Sequence, residues 1–81
     1  MTIEERYKAI GQENEEEQVA EFARQMRAAI AAGKGTVAQV AAGLPQVEAK
    51  LAEVVDNVEF CRGMRRYLAA KQVVAEASNA S

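Results

Sequence analysis

Residues 60–71 read FCRGMRRYLAAK. A strand here would make the chain mixed α and β, and a helix would make it all-α. As an edge strand, VEFCRGMRRYL would need a neighbouring strand, and no two-residue hairpin turn accompanies it. As a helix, Phe60, Cys61, Met64, Tyr67 and Leu68 fall in a sector about 120° wide. The helical reading is the consistent one, and it predicts an all-α chain.

Helix start signals extend this reading outward. Thr2 with Glu5, Asn14 with Glu17, Thr36 with Gln39 and Asp56 with Glu59 each have capping-box spacing. Pro45 suits the first turn of a further helix. Together they predict a small bundle of four to five short helices. Ile3, Tyr7 and Ile10 share one face, and Val19, Phe22, Met26 and Ile30 share another. On one straight helix these faces would diverge by about 135°, so a break is expected across Gly11–Asn14. The second helix should run to about Ala32 and stop at Gly33.

Residues 36–43 are expected as a short helix ended by GLP. Residues 45–55 follow as a separate helix with a Val47, Leu51, Val54, Val58 seam. Cys61 extends that seam if the helix is continuous, while Gly63, Asp56 or Asn57 are the places where it could bend. The domain is expected to span residues 1–77, with 78–81 as a frayed tail.

Composition limits the core. The chain has 81 residues, a net charge of −2 and 49% apolar residues. Seventeen of those apolar residues are alanine, which buries little area. So small a core is marginal alone, and a homodimer is the expected remedy.

Chemistry is excluded by what is missing. There is no histidine and one cysteine, Cys61. That removes the commonest general base, Ser-His and Cys-His nucleophiles, zinc sites and intrachain disulfides. No enzyme activity, metal or cofactor is expected. Cys61 is read as a small buried hydrophobe. The run Glu13, Glu15, Glu16, Glu17 is read as the first turn of a helix, where its dipole favours acids. AGKGT at 32–36 lacks P-loop spacing and reads as a linker. MTIEERYK is not a signal peptide, and no apolar run reaches the roughly 18 residues of a membrane span. A cytoplasmic, soluble chain is expected.

Three functional readings remain. The first is a non-enzymatic protein-protein interaction module: an adaptor, regulator or inhibitor of a protein partner. Arg62 and Arg65 are expected to face solvent. Arg66 and Lys71 are expected within the apolar sector of the helix. Phe60, Met64, Arg66 and Tyr67 would then form a mixed aromatic, thioether and arginine contact surface, with Tyr7 and Phe22 secondary; the alternative, of equal weight, is that Phe60, Met64 and Leu68 are core with Arg66 lying over its edge.

The second reading is a helix-turn-helix DNA-binding regulator built on 36–58. Its nucleic-acid contacts would be Arg62, Arg65, Arg66 and Lys71. It is disfavoured because the outward residues of its recognition helix, Glu48, Lys50 and Glu53, are net negative, where phosphate contact needs cations. The third reading is a structural subunit of a phage or secretion assembly.

Overall fold

Thr2 opens the first helix as its spacing demands. In a computed structural model, which describes residues 2–11 and 15–79, Glu5 N donates to Thr2 Oγ1 at 3.1 Å and Thr2 N donates to Glu5 Oε1 at 3.2 Å. Helix α1 spans Ile3–Ile10 and ends at Gly11, whose φ of 67° a side chain would resist. Helix α2 spans Glu15–Ala31. Its stop is Gly33, at φ 78°. The break between α1 and α2 falls where the divergent faces require it. The Asn14 cap lies outside the described residues.

Helix α3 spans Val37–Glu53 and starts with the Thr36–Gln39 capping box. Helix α4 spans Asn57–Asn79. Asp56 Oδ1 accepts from Val58 N at 2.8 Å and from Glu59 N at 3.0 Å, satisfying two donors that the first turn leaves open. The regular secondary structure of the described residues is thus all helical, in four helices. Among them, no helix is long and apolar enough to cross a membrane.

Two expectations are corrected. Residues 36–43 and 45–55 are not separate helices, because α3 runs unbroken through Pro45. An interior proline removes a hydrogen bond and costs about 3 kcal/mol in an isolated helix. Packing offsets it: Leu44 and Leu51, on either side of the proline, both rest on the same core. The turn that a helix-turn-helix over 36–58 needs near Gly43–Gln46 is therefore absent. The break comes later, at Val54–Asp56, which splits the supposed valine seam. Leu51 is buried, but Val47 is 39% and Val58 68% exposed. At the other end, α4 runs through Ser78 to Asn79.

Helix α4 is the axis of the fold, with α1, α2 and α3 all packed on it and α1 also touching α3. Two core clusters flank it. Tyr7, Leu51, Phe60, Cys61, Met64 and Tyr67 form the first, joined by Ile3, Ile10 and Leu44. Ala23, Ala69 and Val73 form the second, joined by Val19, Phe22, Met26 and Ile30. The two predicted faces of α1 and α2 thus go to opposite sides of one helix.

Contacts give the directions. Glu4 pairs with Lys71 while Arg6 lies over Phe60, so α1 runs antiparallel to α4. Glu48 meets Tyr67 and Leu51 meets Gly63, so α3 is antiparallel as well. Phe22 meets Arg66 and Arg27 meets Glu76, so α2 is parallel. Gly63 lets α3 approach closely, since a Cβ there would collide with Leu51 Cδ2.

Candidate functional site

The sequence-predicted contact residues separate once the chain is folded. Phe60 and Met64 have no exposed surface, and Tyr7 is 6% exposed. These are core side chains, each worth about 1.5–3 kcal/mol of burial. A partner docking on this chain reaches none of them directly. Phe22 is half-buried on α2. Arg66 is exposed, and its guanidinium lies 5.5 Å from the Phe22 ring centroid. It is not within the Phe60–Leu68 sector. Six residues past Phe60 is a rotation of about 240°, which points Arg66 toward α2 beside Arg62.

Lys71 does share the Tyr67 side. Its Nζ pairs with Glu4 Oε1 at 2.8 Å and sits 5.5 Å from the Tyr67 ring. Arg62 is exposed and Arg65 half-buried. The four cations proposed for nucleic acid therefore lie on two sides of α4.

What the fold assembles instead is an apolar groove. Helices α2 and α3 lie apart on α4, and the space between them is open. One section, about 290 Å³, is lined by Met26 of α2, by Val40, Gly43, Leu44 and Val47 of α3, and by Arg66, Tyr67 and Ala70 of α4. A second, about 340 Å³, lies farther along α4 toward its C-terminal end, past Ile30, Val37, Val73 and Ala77, and shares no lining residue with the first. Gln39 and Ile30 link both to a third section at the α2–α3 turn, where Gly33, Lys34 and Gly35 form the wall. The groove exists because its α4 floor and α3 wall carry Ala70 and Gly43, which cannot fill it. From Arg66 to Ala77 it follows α4 for about 16 Å, or three helical turns.

Charge around the groove is one-sided. Arg27 and Glu76 neutralise each other at 3.0 Å. Arg66 at one end and Lys34 at the other are in no ion pair among the described residues. An apolar cleft with a cation at each end therefore lies on a chain of net negative charge.

Tyr67 belongs to both core and groove. Its hydroxyl donates to Glu48 Oε2 at 3.3 Å. Burial pushes its pKa above 10.0; Lys71 opposes the shift and Glu48 adds to it. Lys71 is also held above its usual 10.5, chiefly by the hydrogen bond to Glu4, against partial desolvation.

Arg6 had no signal in the sequence. Its guanidinium donates to Val54 O at 2.7 Å, Val55 O at 3.2 Å and Asn57 Oδ1 at 3.1 Å. It also stacks 3.9 Å from the Phe60 ring centroid. These partners are 48 to 51 positions away, beyond any local pattern. The groove had little signal either, because alanine and glycine in a helical pattern read as filler.

No known protein family, curated protein or solved structure matches this chain. The class it defines is a four-helix all-α domain with an open apolar groove.

Proposed function

We propose that this chain is a non-catalytic protein-binding module, an adaptor, regulator or inhibitor that seats a helix of its partner in the α2–α3 groove. The observation that carries this reading is the groove itself, with exposed Val47 at its edge and Arg66 at its end. Helix-in-groove recognition uses such a surface, with apolar anchors at intervals of three and four residues. Arginine and tyrosine beside an apolar cleft are the side chains enriched at interface hot spots. In this reading the module works in the cytoplasm.

The test compares capture by the wild-type chain and by Val47→Glu. Val47 is exposed enough for the substitution to leave the fold intact, which circular dichroism verifies. A partner held by the wild type, confirmed by titration with the purified partner, should be lost by Val47→Glu. Equal retention by both would refute the groove as the site.

Self-association is part of the same proposal. Three of the ten buried apolar residues among those described are alanines, and so small a core gains from a second copy. Sedimentation from about 10 to 100 µM checks this; a monomer throughout would remove it.

A further inference from the structure

We infer that the groove selects an acidic amphipathic helix, about three turns long, with carboxylates at or near both ends. This rests on the protein-binding reading above and names the chemistry of the partner. Three observations carry it.

The first is length. The apolar lining follows α4 from Arg66 to Ala77, which matches about eleven residues of a docked helix. The second is charge. Arg66 and Lys34 mark the two ends, and neither is in an ion pair among the described residues. The only acid in the lining, Glu76, is taken by Arg27.

The third is the state of Arg66. The face of Phe22 supports its guanidinium at 5.5 Å. This cation–π contact favours one placement of the side chain while its N–H groups can still meet a carboxylate, so less entropy is lost on binding. Gly33 and Gly35 flank Lys34, and Thr36 caps α3, whose first turn contains no acid. The uncompensated N-terminal dipole of α3 adds to the positive potential there.

A second copy is the less favoured occupant. A twofold pairing of groove on groove would set Arg66 against the other copy's Arg66 or Lys34, depending on direction, and like charges resist either.

The probe is a capped amphipathic helical peptide of about fourteen residues. It has leucines at i, i+4, i+7 and i+11 and glutamates at both ends. A counterpart replaces every glutamate with lysine. Amide shifts of the isotopically labelled full chain locate and quantify binding. The acidic peptide should shift Met26, Val40, Gly43, Val47 and Ala70, and the lysine peptide should bind more weakly. Arg66→Glu should weaken the acidic peptide about five- to tenfold and favour the lysine peptide, the scale expected for reversing one exposed charge. Lys34→Glu should act the same way at the other end.

Equal groove binding by both peptides would overturn the acidic preference and leave the protein-binding reading standing. Failure of both peptides up to about 1 mM, or shifts centred on Val55 and Val58, would overturn both. Groove shifts that appear on raising the protein concentration alone, together with dimer in sedimentation, would show a second copy as occupant and overturn the inference.

Discussion

Arg6→Ala should unfold this domain much more readily, although Arg6 lies far from the groove. The magnitude follows from its contacts. The bond to Val54 O is short and half-buried, and it links a cation to the end of α3. Such a bond is worth about 1–2 kcal/mol, and the helix dipole favours a cation there. The two exposed bonds, to Val55 O and Asn57 Oδ1, add about 0.5 kcal/mol each, as exposed polar contacts do. Stacking 3.9 Å from the fully buried Phe60 ring adds about 1 kcal/mol.

The expected loss is about 3 kcal/mol, from a total of roughly 4–12 kcal/mol for a domain of this size. The midpoint of thermal unfolding should fall by about 12–24 °C. Urea titration followed by circular dichroism measures the change. Arg6→Lys keeps the charge but cannot span three acceptors, so it should recover less than half of the loss. A double-mutant cycle with Phe60→Leu should give a coupling of about 1 kcal/mol. If Arg6→Ala stays within about 0.5 kcal/mol of the wild type, the clamp contributes nothing measurable, and Arg6 does not hold α1 in place.

Other outcomes follow from the same contacts. Gly63→Ala should destabilise by about 1–3 kcal/mol despite alanine's better helix propensity, because its Cβ meets Leu51; Leu51→Ala in the same chain should make the added methyl nearly neutral, as a double-mutant cycle in urea would show. Pro45→Ala should stabilise by about 1 kcal/mol and raise helicity in circular dichroism, whereas no gain in helicity would contradict a continuous α3. Tyr67 and Lys71 both have raised pKa values in the fold, so the stability they contribute is fully present below about 10.0 and 10.5 and is lost as pH climbs through their folded values. Urea midpoints should therefore fall above about pH 10, with a shallower fall in Tyr67→Phe; an unchanged slope would show that the tyrosine does not take part.

Part of the fold was legible because helix signals are local. A capping box needs two side chains three residues apart, so the starts at Thr2, Thr36 and Asp56 could be read directly. Ile3–Tyr7–Ile10 and Val19–Phe22–Met26–Ile30 could be read as separate faces because 3.6-residue periodicity is also local. Pro45 misled for the same reason. Its intrinsic cost is a local property, while the packing of Leu44 and Leu51 that offsets it is not. Val58 misled because it continues a helical spacing across a break.

The contact residues were harder to place. FCRGMRRYLAAK was rightly a helix, but Phe60 and Met64 proved to be core and Arg66 turned toward α2. An aromatic, a thioether and an arginine in one short stretch look alike whether they face a partner or a neighbouring helix. For Phe60 and Met64 only burial decides, and burial depends on every element packed around α4; the direction of Arg66 is local, since six residues past Phe60 is a rotation of about 240°. By itself, the sequence determined that the chain is helical, where most helices begin, and which faces are apolar, since these depend on residues within a turn or two of each other. The tertiary structure alone decided that α4 is the axis, that Arg6 ties α1 to the α3–α4 turn, and that α2 and α3 stand apart to leave a groove. Those features depend on contacts between residues dozens of positions apart, and on the empty space that alanine and glycine leave.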